Sequence, residues 1–203
     1  MGRKSIEKER LVLDEEQKEW IEKLTVLFLK NGIKKVSMDR VVVHLGVSKA
    51  TFYRFFESRD ILIEKVIENY LHQFDGFEAI LHNPEKDYFE RFVETFAFFS
   101  KPLIGLNNVF LKDLKDYYPK QLEKINNFQN HILEQLAIYY KTGIEKKYIV
   151  DCDVNILLAM DKAMIWQLTD GSFLQKNQLS IADAFEQYFR IKFQGLIPRN
   201  HGR

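Results

Sequence analysis

The chain has 203 residues, 46% hydrophobic and 29% charged, with 30 Lys plus Arg against 29 Asp plus Glu for a net charge of +1. These figures describe an ordinary globular chain of one large or two small domains and exclude one that is basic throughout, though not one with a local basic patch. The single cysteine, Cys152, excludes an internal disulfide and a cysteine-rich zinc site. It suits a reducing, cytoplasmic setting. No run approaches the roughly 18 apolar residues of a membrane span, and the charged opening MGRKSIEKERLVLDEE lacks the apolar stretch of a signal peptide.

Nine Gly, four Pro and the near absence of strand-like runs predict an all-α fold. Residues 1–13 read as a loose arm, its Arg3, Lys4, Lys8 and Arg10 diluted by Glu7 and Glu9. Asp14 can cap a first helix with Glu15 and Glu16 in its first turn. Trp20, Leu24, Leu27 and Phe28 recur at spacings of three and four, and Asn31-Gly32 supplies the stop. Ser37 caps a short helix over 38–44, Leu45-Gly46-Val47 breaks it, and Ser48 caps another over 49–56. Ser58 caps a fourth to about residue 74. The two middle helices are too short to stand alone, so these four form one unit over 14–75.

The rest, 76–203, reads as a second helical region. It is aromatic-rich, with eight of the 17 Phe lying between residues 74 and 110. Helices are expected over 87–100, 106–118, 119–142, 154–169 and 181–196. Pro119 opens the third of these at its first position, and Gly143 is expected to close it. Asp153 caps the fourth and Gly171 closes it. Ser180 with Asp183 opens the last, which Pro198 ends.

The segment SMDRVVVHLGVSKATFYRFFESR, residues 37–59, is a helix, a glycine turn and a second helix. That geometry lets a second helix enter the major groove. Charge gathers there too. Lys34, Lys35, Arg40, Lys49, Arg54 and Arg59 face only Asp39 and Glu57, a local +4 in a chain of +1, which is an electrostatic footprint for DNA.

Gly46-Val47-Ser48-Lys49-Ala50-Thr51-Phe52-Tyr53, continuing through Arg59-Asp60-Ile61-Leu62, resembles the TetR/AcrR family of bacterial transcriptional repressors. Phe28, Gly32, Ser37 and Val41-Val42 fall in register with it, and the match covers about residues 14–65. Three positions depart from the pattern: Val42 replaces a small Ala, Phe55 replaces a frequent His, and Arg59 replaces a frequent Lys while keeping the charge. The resemblance implies an N-terminal helix-turn-helix unit joined by a connecting helix to a helical effector-binding and dimerisation domain. It implies a ligand-released repressor on a palindromic double-stranded DNA operator. Lys49 and Thr51 would then reach base edges beside Ser48 and Ala50, and Ser37, Tyr53, Arg54 and Arg59 would contact phosphates.

In the second region the same resemblance implies a homodimer and a small apolar or aromatic effector. Phe89, Phe92, Phe96, Phe99, Phe110, Tyr117, Phe128, Met160, Met164 and Trp166 suit an apolar cavity, although the same residues also suit a plain core. The helix over 154–169 is apolar nearly all round and so is buried on more than one side. Leu157 and Ile165 are its candidates for a dimer interface, with Ala184, Phe185, Tyr188 and Ile191 of the last helix. A regulator controlled by protein contacts, or a structural nucleoid binder, stays open as an alternative. Enzyme chemistry finds no support. The five His lack metal-ligand spacing, Cys152 lies between two acids that disfavour its thiolate, and no glycine-rich phosphate loop is present. No cofactor and no metal are expected.

Overall fold

A computed structural model describes residues 15–104, 106–169 and 172–196. The arm over 1–13, the Asp14 cap, the stop at Gly171 and the end at Pro198 lie outside the described residues. Within them the chain forms eleven helices and no strand.

The N-terminal unit is α1 (Glu15–Asn31), α2 (Met38–Leu45), α3 (Lys49–Phe55) and α4 (Arg59–His72). Each of the last three starts on a serine whose hydroxyl accepts a backbone N–H three residues on: Ser37 from Arg40 at 3.2 Å, Ser48 from Thr51 at 3.0 Å and Ser58 from Ile61 at 3.2 Å. Such caps satisfy N–H groups that a helix start leaves unpaired. Gly46 ends α2 in the left-handed region at φ 71°, where a β-carbon is disfavoured. Leu24, Phe28, Ile33, Val41, Phe52, Leu62 and Val66 are fully buried between these helices. Val42 is buried without displacing the fold, and Phe55 packs edge-on against Trp20 at 5.4 Å.

This first core does not stop at residue 75. It continues into Phe110 and Leu114 of α7 (Asn108–Tyr117) and Ile125 of α8 (Pro119–Glu145). Between them and α4 come α5 (Phe77–Leu81) and α6 (Tyr88–Ile104). The chain closes with α9 (Val154–Thr169), α10 (Ser172–Asn177) and α11 (Ile181–Leu196). A second core joins Tyr88 and Phe92 to Leu136, Tyr139, Tyr140 and Leu157, and a third gathers Ile165, Leu168, Leu174, Ile181 and Phe185.

Two helix ends differ from the sequence expectation. α6 does not stop at Ser100 but runs through Pro102 to Ile104; Pro102 is buried and Leu103 packs against two cores, so tertiary contact outweighs the missing N–H. Gly143 does not close α8, which continues to Glu145. The glycine is a packing residue, because the Tyr88 ring lies where its side chain would be. The short α5 and α10 are additions to the expected set.

Candidate nucleic-acid interface and effector cavity

α3 lies on the surface of the N-terminal unit. Phe52 points inward and stacks on Phe56 at 4.8 Å, which turns the other side of the helix to solvent. Ser37, Ser48, Lys49, Ala50, Tyr53 and Arg54 are exposed there, and Thr51 is half-buried. The Thr51 and Ser48 hydroxyls share a 2.8 Å hydrogen bond, so the start of α3 is rigid. The Lys49 ammonium is paired with the Asp39 carboxylate of α2, and that hydrogen bond raises the lysine pKa above its ordinary value. An exposed helix start carrying hydroxyls and cations can hydrogen-bond phosphates and base edges.

Arg59 is the exception among the candidates. Its guanidinium turns into the protein, with Nη2 donating to the carbonyls of Ile33 at 2.6 Å and Val36 at 2.7 Å and Nε donating to the Tyr118 hydroxyl at 3.1 Å. The proposed phosphate contact is therefore withdrawn for this residue: its donors close the α1–α2 loop and tie it to the α7–α8 junction. A second tie lies beside it. The backbone N–H of Lys34 donates to Asp113 at 2.7 Å, and its ammonium donates to the Tyr117 hydroxyl at 2.9 Å. Asn107 bonds the carbonyls of Leu29 and Lys30, each at 3.1 Å. On α4, Glu64 and Glu68 both accept from Lys124 of α8.

Between α4, α6, α8, α9 and α11 lies a cavity of about 120 Å³. Phe92, Phe96, Phe99 and Phe128 line it, joined by Tyr70 and Leu71 of α4, Phe74 of the turn that follows it, Leu111 of α7, Gln129 and Ile132 of α8, and Phe189 of α11. The lining is almost wholly apolar. The Thr95 hydroxyl donates to Arg91 O at 2.8 Å, and burial pushes the Tyr70 phenol pKa up. Sequence reasoning missed the α4 and α11 contributors because their apolar spacing matches ordinary core.

The other cavity candidates lie elsewhere. Phe110 is sealed in the first core, Tyr117 is exposed on Lys34, and Met164 packs into the third core. Phe89 packs against the second core. Met160 and Trp166 face outward, 46% and 48% exposed. The dimer candidates need the opposite correction. Leu157, Ile165, Ala184 and Phe185 are buried within the single chain, Ile165 and Phe185 at the cavity wall. Of the six, Ile191 alone is exposed, at 67%. The outward apolar residues of α9 are instead Ile156 and Met160, one turn apart, and Trp166 on the flank of the same exposed side.

Beneath that face α9 carries a buried carboxylate. Asp161 accepts from Lys192 at 2.6 Å, Tyr140 at 2.8 Å and Tyr188 at 2.8 Å. Tyr188, a dimer candidate, thus directs its hydroxyl inward. Burial lowers the Lys192 pKa while Asp161 opposes the shift. Removing one partner of such a pair is strongly destabilising.

Comparison with known proteins agrees with this geometry. Residues 21–66 match the family model described as bacterial regulatory proteins, tetR family. An uncharacterized HTH-type transcriptional regulator of Bacillus subtilis (strain 168), YvaF, is 24% identical over 164 residues, covering 79% of this chain and 85% of its own. A TetR-family transcriptional regulator from Marinobacter aquaeolei VT8 superposes with a TM-score of 0.72 at 17% identity, covering 89% of this chain and 91% of its own. A regulator from Saccharomonospora viridis solved in complex with choline gives 0.66 at 21% identity, covering 90% and 97%. No described helix is long and apolar enough to cross a membrane.

Proposed function

Since this chain belongs to the tetR family of bacterial regulatory proteins and is a DNA-binding transcriptional regulator, we propose that it is a homodimeric repressor released from a palindromic operator by a small apolar or aromatic ligand. In this reading residues 14–75 bind DNA, and residues 76–203 hold the effector and the dimer contact. α3 enters the major groove. Lys49 and Thr51 face base edges there, with Ser48 and Ala50 beside them, while Ser37, Tyr53 and Arg54 face phosphates and set the register. The partner subunit meets the outward face of α9 and α11 at Ile156, Met160, Trp166 and Ile191. An exposed apolar face of this kind marks an interaction surface.

The observation that carries the reading is the reach of the cavity wall. Tyr70 and Leu71 belong to the helix that begins beside α3, Phe74 lies in the turn at its far end, and Leu111 belongs to the helix bonded to Lys34. A ligand pressing on α4 and α7 therefore acts on the two elements that hold the DNA-binding unit. It releases DNA only by binding the DNA-incompetent arrangement better than the competent one. The choline-bound neighbour supports a small molecule on this architecture without identifying one for this chain. The cavity wall, with no charged side chain, favours an uncharged effector.

The test is to select duplexes from a random library and then screen uncharged apolar compounds for release of the selected duplex. A palindrome bound by a dimer and freed by such a compound supports the reading. Failure of any duplex to emerge refutes the DNA assignment of α3.

A further inference from the structure

We propose that Asp39 is a positioning residue for Lys49, and that it makes the DNA interface selective by keeping the lysine ammonium away from the phosphate backbone. The inference rests on α3 being the base-reading helix. Asp39 stands in the first turn of α2 and Lys49 is the first residue of α3, and their side chains pair across the turn with the lysine 60% and the aspartate 72% exposed. An acid in the first turn of α2 complements that helix's positive end, which accounts for an Asp there but not for its partner. Lys49 occupies the positive start of a helix that has no acid in its own first turn, a position that disfavours an ammonium. Asp39 supplies the missing counter-charge from the neighbouring helix.

An ion pair this exposed contributes little to stability, so its consequence lies in where it holds the amine. A lysine on a long flexible stem approaching a duplex meets phosphates readily, and that contact strengthens binding to any sequence. A carboxylate beside the amine repels phosphates and keeps the amine at the α2–α3 junction. There the O6 and N7 of a guanine edge offer acceptors without a full negative charge. Asp39 thereby lowers affinity for DNA in general and raises discrimination.

The experiment measures dissociation constants for a duplex selected from a random library and a scrambled duplex of equal length, between about 50 and 200 mM salt. The proteins are wild type, Asp39→Asn, Asp39→Ser, Asp39→Glu, Lys49→Ala and Lys49→Ala/Asp39→Asn. Both neutral variants should bind the scrambled duplex more tightly, steepen the logarithmic salt dependence by about one, and lower the selected-to-scrambled ratio about fivefold or more, the small end of one base contact. Asp39→Glu should keep the wild-type ratio. In the Lys49→Ala background, Asp39→Asn should leave the ratio unchanged. An equal gain on both duplexes, or the same drop in ratio without Lys49, makes Asp39 a bulk charge and overturns the proposal. Absence of any preferred duplex for the wild type overturns the underlying reading of α3 instead.

Discussion

Tyr88 fills the space that a side chain on Gly143 would need. Its hydroxyl oxygen lies 2.1 Å, and its ring Cζ 2.5 Å, from where a β-carbon would stand. The ring cannot retreat. It stacks on Tyr139 at 4.2 Å, and the two phenols donate to each other's backbone carbonyls at 3.2 and 2.7 Å. Gly143→Ala gains about 1 kcal/mol in helix propensity against an overpacking cost of about 1–3 kcal/mol, and the fixed ring puts that cost at its upper end. A net loss of about 1–2 kcal/mol is expected, read as a lower denaturant midpoint at unchanged slope. A raised midpoint contradicts the close approach.

Arg59→Ala should destabilise the fold by about 2–3 kcal/mol, because it removes a charged group bonded to the carbonyls of two buried residues. Arg59→Lys should recover little of this, since an ammonium lacks the planar fork. The salt dependence of DNA binding should stay at its wild-type slope in both variants. Tyr53→Phe, by contrast, should keep stability and weaken all duplexes about equally. A reduced salt slope with intact stability in Arg59→Ala would return Arg59 to the phosphate contacts.

The outward face of α9 and α11 gives a separable prediction. Met160→Glu with Ile191→Glu should leave a folded monomer in sedimentation at micromolar concentration, where wild type should sediment as a dimer. Leu157→Ala should act differently, lowering stability by about 2–5 kcal/mol as a buried truncation. A double variant that remains dimeric places the interface elsewhere.

His131 links α8 to α5. Its imidazole bonds Glu78 of α5, with Glu134 of its own helix 3.7 Å away and the Phe77 ring beside it. The Glu78 hydrogen bond, then the charges of Glu78 and Glu134, raise its pKa above the ordinary value despite some desolvation. The proton is thus held more tightly in the folded chain. The link is fully present below the unfolded-state pKa and is lost as pH rises through the folded one. Wild type should exceed Glu78→Gln in stability at about pH 5, with the gap closing by about pH 8, and Glu78→Gln should lower the His131 midpoint in an NMR titration. A gap that widens with pH contradicts the pairing.

The helix-turn-helix is legible in the sequence because its determinants are local. Ser37, Gly46, Ser48 and Ser58 each cap or break within a few residues, and the apolar spacing does the rest. The role of Arg59 is not legible, since its acceptors lie 23, 26 and 59 residues away. The same limit applies to α9, where an all-round apolar sequence does not say which side meets the cavity. Ile165 turned out to line it, while Met160 and Trp166 face outward. In sequence Gly143 reads as a helix stop, because its true constraint, the Tyr88 ring, comes from another helix. α5 has a glycine start without a side-chain cap, so no local signal announced it.

Occupation of the cavity and binding of DNA should oppose each other. The direct measurement takes an uncharged apolar compound chosen only because it raises the melting temperature of wild type but not of a variant with the cavity filled, Phe96→Trp. Its affinity is then determined by calorimetry with and without saturating operator duplex. A coupling of about 1–3 kcal/mol is expected, so operator should weaken the compound about 5- to 150-fold. Equal affinities in the two titrations would mean that the cavity does not control DNA binding.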